Sequence, residues 1–243
     1  MLMSVIEGAL SAPAYPDLAG KRILVTGLTS RCGVDIARAF AEQRGRLVLQ
    51  FAEASQAMET VAEIVAPAAL EARVYGPVAR GQDEVVRFAR TATQVFGGLD
   101  AVINLVPLVP GDLDGFATME DVERLIMSQL ALPFLTSKIA ANRMSMMLTD
   151  GLILNVATLA GMPRRARRAF ATVAKAALAA MTRAQAEEWA GRAVRFNAIA
   201  PQTVGAEAGP HLTGEADVAS LALYLVSGHG RTLSGCVFEA DMR

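Results

Sequence analysis

Cysteine and histidine are scarce in this sequence of 243 residues, and neither acidic nor basic residues predominate. The two cysteines, Cys32 and Cys236, are too few for a disulfide framework. The two histidines, His211 and His229, lack the clustered spacing of metal ligands. A net charge of −1 provides no broad basic field. These absences argue against a disulfide-rich secreted domain, a metal centre and a nucleic-acid partner.

Membrane-spanning and targeting patterns are absent as well. No apolar run approaches the roughly 20 residues that a helix needs to cross a bilayer. Residues 1–16 lack a basic start and carry Glu7, which argues against a signal peptide. We therefore expect a cytoplasmic protein that does not contact a membrane.

The composition favours a single large α/β domain. Apolar residues make up 53% of the chain and charged residues 19%, which is typical of a parallel sheet covered by helices on both faces. No repeat, linker or second domain is visible, and we assign residues 18–243 to one domain. Residues 1–17, which contain two prolines, are expected to be an arm that is either loose or docked on another subunit.

The stretch Arg22–Ala37 predicts the start of a nucleotide-binding βαβ unit. An apolar run from residue 23 to 25 is typical of a buried strand, and Thr26-Gly27 interrupts it. From Gly33 to Phe40 the apolar spacing becomes helical. Free backbone N–H groups at such a helix start can bind a pyrophosphate. A structural turn that binds no nucleotide is the alternative.

The rest of the chain alternates between apolar runs and helical periods, which predicts a parallel sheet with crossover helices. The predicted strands are Arg46–Phe51, Leu70–Tyr75, Ala101–Asn104, Gly151–Gly161 with its turn, Val194–Pro201 and Gly235–Asp241. The predicted helices are Glu53–Val65, Gln82–Phe96, Thr118–Ala141, Phe170–Gly191 and Thr213–Leu225.

The turn between Gly27 and Gly33 resembles the T-G-x-x-x-G-x-G motif of the short-chain dehydrogenase/reductase family, with Arg31 at the middle glycine. Residues 99–107, 151–161 and 194–201 resemble later motifs of the same family. The resemblance implies a Rossmann-like, doubly wound sheet of seven parallel strands and a cofactor that is NAD or NADP. It also implies which residues remain from the cofactor site: Gly27, Ser30, Arg31, Gly33, Asn104 and Lys175.

The catalytic residues that the resemblance implies are only partly present. The family places a tyrosine four residues before a lysine, and here Lys175 has Ala171 at that spacing. Residues i and i+4 share a helix face, so the lysine would lower the pKa of the phenol and bind the nicotinamide ribose. Thr158 takes the position of the catalytic serine, and Gln129 that of a supporting asparagine. No general acid of the family's kind is visible, because the tyrosines are remote in sequence: Tyr15, Tyr75 and Tyr224.

The cofactor-binding positions depart from the family pattern too. Residues 50–52 (Gln-Phe-Ala) lack the strand-end carboxylate that would hold the adenosine ribose. Pro77-Val78 replaces an Asp-Val pair that binds the adenine, and Val106-Pro107 replaces an Ala-Gly pair that lets the cofactor approach. The segment between Pro201 and Thr213 is much shorter than the family's substrate lid. These departures leave nucleotide binding open.

A basic cluster lies where the substrate of an active relative would enter. It consists of Arg164, Arg165, Arg167 and Arg168. Their guanidinium groups could bind the phosphates of a CoA or carrier-protein thioester, or an acidic partner surface. A solvated loop before the next helix is the alternative.

Three functions are consistent with these observations. The first, which we favour, is a non-catalytic subunit that pairs with an active short-chain dehydrogenase/reductase acting on a hydroxyacyl or ketoacyl thioester. The expected hetero-oligomer is a tetramer, built as a dimer of dimers through the two long helices Thr118–Ala141 and Phe170–Gly191. The second is an active NAD(P)-dependent oxidoreductase that uses Thr158 and Lys175. The third is a nucleotide-sensing or scaffold protein.

Overall fold

A seven-stranded parallel sheet forms the centre of the molecule. A computed structural model describes residues 15–29, 32–54, 56–79, 81–107, 118–158, 164–201, 212 and 214–240. The strand order is β3-β2-β1-β4-β5-β6-β7, and every pairing is parallel. This order confirms the predicted Rossmann-like α/β fold. The strands are β1 Arg22–Leu28, β2 Arg46–Phe51, β3 Glu71–Tyr75, β4 Ala101–Pro107, β5 Gly151–Thr158, β6 Val194–Pro201 and β7 Val237–Ala240.

Helices cover both faces of this sheet. Within the described residues the α-helices are α1 Val34–Glu42, α2 Gln56–Val65, α3 Gln82–Ala92, α4 Met119–Met146, α5 Arg164–Trp189 and α6 Glu215–Val226. Short 3₁₀ helices occur at Pro16–Leu18, Ala190–Arg192 and Gly228–Gly230. None of the helices in the described part of the chain is both long and apolar enough to cross a membrane.

The alternation of side chains along β1 divides the core into two layers. Ile23 and Val25 pack in the layer that α1 and α6 cover, whereas Leu24 packs in the layer that α3 and α4 cover. Successive side chains of a strand point to opposite faces, so a strand that is buried on both faces needs an unbroken apolar run. This requirement explains why β1, β5 and β6 are buried along almost their whole length.

Several predicted bounds need correction. Strand β1 is not interrupted at Thr26-Gly27; it continues to Leu28 with an irregular register. Strand β4 continues past Asn104 because its pairing with β5 extends to Thr158. Helix α3 ends at Ala92, where Thr93 forms its C-cap before a turn that contains positive-φ glycines. Helix α2 begins three residues later than predicted, and α4 extends five residues further.

Helix α5 begins at Arg164 rather than at Phe170. All four arginines of the predicted basic cluster therefore lie in the first turns of α5, so this segment is helical and not a loop before the helix. Arginine and alanine, which fill this segment, are both good helix formers.

The last residues of the predicted arm belong to the folded domain. Leu18 is fully buried in the core. The Tyr15 N–H donates to Oε1 of Gln43 at 3.1 Å, and the Gly228 N–H donates to Oδ2 of Asp17 at 2.7 Å. Residues 15–17 are thus attached to two different loops of the domain.

One ion pair joins the starts of β1 and β4. The Arg22 guanidinium donates to both carboxylate oxygens of Asp100, at 2.9 Å and 2.8 Å, and the Arg22 N–H adds a third bond at 2.8 Å. Burial opposes ionisation of Asp100, but the hydrogen bonds and charge of Arg22 outweigh it and lower the pKa of Asp100 below its ordinary value. The pair fixes the register of the two central strands.

Replacing Asp100 with Asn should lower the free energy of unfolding by about 2 kcal/mol at pH 7, since a half-buried guanidinium loses its carboxylate. The native pKa of Asp100 is lowered, so its stabilisation is present above the ordinary pKa and is lost as the pH falls through the native one. The difference between Asp100→Asn and wild type should therefore shrink below about pH 4. Urea unfolding at several pH values measures it. Glu84→Gln, which removes an exposed pair with Arg87, is the control and should change stability by less than about 0.5 kcal/mol.

Candidate functional site

The sheet topology places a crevice at the carboxyl ends of β1 and β4. Strand order runs outward in both directions from these two neighbours. Helices that follow β1 and β4 lie on opposite faces, which opens a crevice where open α/β sheets bind their ligands. Gly27 lies next to the last residue of β1, and Asn104 lies at the middle of β4.

Leu105 of β4 packs against the β1–α1 turn so closely that only glycine fits there. Gly27 has φ +74°, and a Cβ atom on it would lie 2.2 Å from the carbonyl oxygen of Leu105. Gly33, the N-cap of α1, has φ +94°, and its Cβ would lie 2.1 Å from Cδ1 of the same leucine. Both glycines are therefore explained by packing within the chain, without a bound nucleotide.

Gln50 binds this turn from the side. Its Oε1 accepts a hydrogen bond from the Gly27 N–H at 2.9 Å, and its Nε2 donates to the carbonyls of Phe51 and Gly76. The side chain is buried. At the strand end where the family places a ribose-binding carboxylate, Gln50 thus binds backbone groups of its own chain.

Glu215 occupies the N-terminus of α1. Its Oε1 accepts from the Asp35 N–H at 2.8 Å, and the N–H groups of Gly33 and Ile36 also donate to its carboxylate. Burial raises the pKa of Glu215, while these N–H groups oppose the rise. The first N–H groups of α1, where a pyrophosphate would bind, are therefore engaged by a carboxylate from α6.

Sequence analysis missed Glu215, and no local signal could have identified it. Glu215 and Asp35 are 180 residues apart in the chain. The residue stands in the first turn of its own helix, where an acidic side chain is common for reasons internal to that helix. Only the packing of α6 against α1 brings the Glu215 carboxylate within hydrogen-bonding distance of the first N–H groups of α1.

Thr158, at the end of β5, is 1% exposed and lies beside the Cys32 thiol. Among the described residues its hydroxyl makes no hydrogen bond of ordinary geometry. Burial, followed by the charge of Glu215, raises the pKa of Cys32 to about 12, and the nearby Thr158 hydroxyl opposes this rise. Cys32 is therefore an unreactive packing residue, and it closes the turn over Thr158.

Asn104 is a structural junction rather than an open contact. The Thr26 hydroxyl donates to Asn104 Oδ1 at 2.9 Å. The Asn104 amide donates to Asn155 Oδ1 at 2.8 Å and to the Ser137 hydroxyl at 3.0 Å. Asn104, Ser137 and Asn155 have no solvent exposure. The resemblance places Asn104 in the cofactor site, but its polar atoms join β1, β4, β5 and α4.

Ala171 and Lys175 lie on α5 as predicted, one turn apart. Ala171 is 2% exposed in an apolar cluster that also contains Val106, Ala157 and Leu178. The Lys175 ammonium forms a short ion pair with the carboxylate of Glu239 on β7. The ammonium is thus neutralised by a residue that sequence analysis did not single out.

The structure describes all three tyrosines, and each one lies away from Lys175. Tyr15 and Tyr224 contact the ring of His229, and Tyr75 packs on Phe88 at the β3 edge of the sheet. Lys175 contacts β7, at the opposite edge. None of the tyrosines is placed to donate a proton beside Lys175.

The remaining predicted site residues are either half-buried on α4 or outside the described residues. Gln129 is half-buried on α4. Ser30, Arg31 and the shortened segment 202–211 lie outside the described residues. In the part of the chain that is described, no cluster of His, Cys, Asp and Glu could hold a metal ion.

A dinucleotide does not fit the described residues as they are arranged. Glu215 engages the N–H groups that would bind the pyrophosphate, and Glu239 engages the ammonium that would bind the nicotinamide ribose. Gln50 engages the N–H of Gly27. Among the described residues that the resemblance assigns to NAD or NADP, Gly27, Gly33, Asn104 and Lys175 all bind groups of the same chain.

Comparison with known proteins identifies relatives along most of the chain. The family profile described as short chain dehydrogenase matches residues 21–215. An uncharacterized oxidoreductase of Thermotoga maritima is 31% identical over 189 residues, which cover 77% of this chain and 73% of that protein. The 3-oxoacyl-(acyl-carrier-protein) reductase of Synechocystis sp. is 30% identical over 193 residues, which cover 79% of this chain and 77% of that protein.

Solved structures share the fold at lower identity. A short-chain type dehydrogenase/reductase from Mycobacterium marinum superimposes with a TM-score of 0.73 at 22% identity, covering 93% of this chain and 96% of its own. A short-chain dehydrogenase from Oenococcus oeni gives a TM-score of 0.73 at 23% identity, covering 93% and 97%. These structures support the fold alone.

Comparing alanine substitutions at Gly20 and Gly27 measures the energetic effect of the contact with Leu105. Gly20→Ala should reduce the free energy of unfolding by about 1 kcal/mol, because Gly20 has φ +76° and open space around it. Gly27→Ala has nearly the same φ but adds the clash with Leu105, and it should cost about 3 kcal/mol or more. Urea unfolding of both variants gives the difference. Equal losses would show that Leu105 does not constrain the turn.

Proposed function

The chain belongs to the short-chain dehydrogenase family, and we propose that it is a non-catalytic subunit that assembles with an active member of that family. The observation that carries this proposal is the environment of Lys175. Ala171, one turn before it, is buried among apolar side chains, and Glu239 neutralises its ammonium. No described phenol lies beside it.

The missing proton donor has a large kinetic effect. A positioned general acid contributes roughly 10²–10⁴ to the rate of carbonyl reduction or alcohol oxidation. Thr158 does not replace it, because an alcohol is a much weaker acid than a phenol and Thr158 is buried beside Cys32. We infer that this chain by itself does not transfer the proton that the reaction requires.

The cofactor site supports the same proposal. Family members use NAD or NADP, and in this chain the corresponding groups are bound internally. A dinucleotide would have to displace the Glu215 carboxylate from the first turn of α1 or tolerate its negative charge next to a pyrophosphate. We infer that dinucleotide affinity is weak, and that turnover takes place in the partner subunit.

The outer surface of α5 suits assembly with a second subunit. Close approach of a second helix is predicted by the small residues of α5 at Ala174, Ala177 and Ala180–Met181, but Ala174 packs inside its own chain. Ala180 is exposed, and with Ala176 and Ala184 it forms a row of exposed small side chains spaced four residues apart along one face. Small side chains allow two helix backbones to approach closely.

The substrate of the complex is inferred from the relatives. The Synechocystis relative is named as a reductase of a 3-oxoacyl carrier-protein thioester. Four arginines in the first turns of α5 supply positive charge that the phosphates of CoA or of a carrier protein could bind. We therefore infer that the active partner acts on a hydroxyacyl or ketoacyl thioester.

A second candidate is an active, divergent oxidoreductase. Its support is that the chain retains Lys175 and that several relatives are named as dehydrogenases or reductases. In this case Thr158 and Lys175 would form the site, and NAD(P) would displace Glu215. The experiments below separate the two candidates.

The isolated protein should show no NAD(P)H-dependent turnover of keto or hydroxy thioesters. Ala171→Tyr should remain inactive, because the dinucleotide groups stay occupied. Spectrophotometric assays at 340 nm (NAD(P)H absorbance) measure both. If wild type turns over and Lys175→Met abolishes the activity while the matched Lys21→Met does not, the second candidate is established. Restored turnover in Ala171→Tyr would show that the cofactor site remains competent.

Purification of the tagged protein from its native cells should recover a second short-chain dehydrogenase that retains the tyrosine. Ala180→Glu, on the exposed face of α5, should reduce this recovery at least tenfold, because a charge is buried at the helix contact. Ala216→Glu makes the same change at an exposed alanine of α6 and should have no effect. Recovery of the chain as a homo-oligomer without a second dehydrogenase would contradict the proposal.

A further inference from the structure

We propose that a basic groove at the opposite end of the sheet binds a small molecule carrying two or more phosphate groups. The groove has a volume of about 600 Å³ and lies between the last turns of α3, α4 and α5. Its charged and aromatic lining consists of Arg90, Lys138, Arg143, Glu188, Trp189 and Arg192.

The groove is separate from the crevice described above. Helices α3, α4 and α5 end shortly before β4, β5 and β6 begin, so their last turns lie at the amino ends of these strands. Gly27 lies near the carboxyl end of β1, and Thr158 is the last residue of β5. A ligand in the groove would therefore bind at the opposite end of the sheet from the β1–α1 turn that Glu215 engages.

Positive charge is concentrated in this groove far beyond the average of the chain. The whole sequence has a net charge of −1. The groove combines four cationic side chains with one carboxylate, that of Glu188. Like charges that line one concave surface repel each other and attract multivalent anions. A bound anion whose negative charge matches the net positive charge of the groove would remove this repulsion.

The arginines of the groove belong to the described arginines that form no ion pair, together with Arg44, Arg46 and Arg183. Among the described residues, no carboxylate forms an ion pair with Arg90, Arg143 or Arg192. The Nε atom of Arg143 is buried and makes no hydrogen bond there, and such an unpaired buried donor is destabilising. By contrast, ion pairs are formed by Arg22, Arg38, Arg73, Arg87, Arg124, Arg195 and Arg231.

Packed elements hold these cations in place. Trp189 is 4% exposed and belongs to the core cluster beneath α3 and α4. The Arg192 guanidinium lies 5.0 Å from the centre of its ring, which positions the charge at the groove wall. Arg90 and Arg143 are anchored on α3 and α4. The helix backbones that carry these cations are therefore fixed before a ligand binds, and the exposed side chains of Arg90, Lys138 and Arg192 become ordered on binding.

The dimensions and chemistry select the ligand class. A volume of about 600 Å³ lies in the range typical of small-molecule sites. Planar guanidinium groups bind phosphate through paired N–H donors, and several of them around one concave surface match several phosphates. We infer a phosphorylated metabolite with at least two phosphate groups rather than an extended acidic protein surface.

Trp189 provides a direct measurement because it is the only tryptophan in the chain. Inorganic tripolyphosphate should change its fluorescence in a saturable manner, with a dissociation constant below about 1 mM. Sulfate at matched ionic strength should produce no saturable change. A response to sulfate equal to that of tripolyphosphate, or no saturable response at all, would overturn the proposal.

Variants test whether tripolyphosphate binds in this groove. Arg143→Gln should weaken tripolyphosphate binding about tenfold or more. Arg183→Gln is the matched control: Arg183 lies on α5 and, like Arg143, has no ion pair among described residues, but it is outside the groove lining. An equal loss in Arg183→Gln would show nonspecific screening and would overturn the proposal.

A second variant covers the case in which Arg143→Gln does not fold, which circular dichroism would reveal. Arg90→Gln, at an exposed position of the same groove, should weaken binding severalfold with an unchanged urea midpoint. Binding of a polyglutamate peptide tests the alternative that the groove binds an acidic protein segment. If that peptide binds more tightly than tripolyphosphate and is lost in the same variants, the groove is a protein-docking surface and the small-molecule proposal is wrong.

Discussion

The arrangement of the crevice depends on one steric constraint, the contact of Leu105 with the β1–α1 turn. The backbone of Leu105 leaves no room for a side chain at Gly27, and Gly33 has a positive φ beside the end of the same leucine side chain. The Gly27 N–H donates to Gln50, and the N–H groups of Gly33, Asp35 and Ile36 donate to Glu215. The glycine pattern of a nucleotide-binding turn is thus retained because the packing requires it, whether or not a nucleotide binds.

The charged groups at the crevice are satisfied in pairs within the chain. A carboxylate from α6 interacts with the positive end of α1, and a carboxylate from β7 interacts with Lys175. Buried or half-buried charges need such partners, because desolvation is costly. In an active relative the ligand would supply the negative charge. Here Glu215 and Glu239 supply that negative charge.

The two ends of the sheet therefore differ in a way that bears on function. At the carboxyl ends of the strands, anion-binding groups are neutralised by Glu215 and Glu239. At the amino ends, the arginines of the groove face each other without carboxylate partners in the described structure. Family membership describes the ancestry of the first site and carries no information about the second. The lining of the groove is thus chemically distinct from the crevice, where carboxylates of the same chain engage the cationic and N–H groups.

The sequence alone determined the sheet and most element positions. The bounds of β2 and β6 were predicted to the residue, because an apolar run between polar turns is a local signal. Helix ends were predicted less well, since the start of α5 and the end of α4 depend on packing as well as on periodicity. Tertiary structure alone decided the roles of Glu215, Gln50 and Glu239. Most of the groups that these side chains bind lie tens to hundreds of residues away in the sequence. Hydrophobic periodicity reports local structure, so it does not predict which side chain binds which distant group.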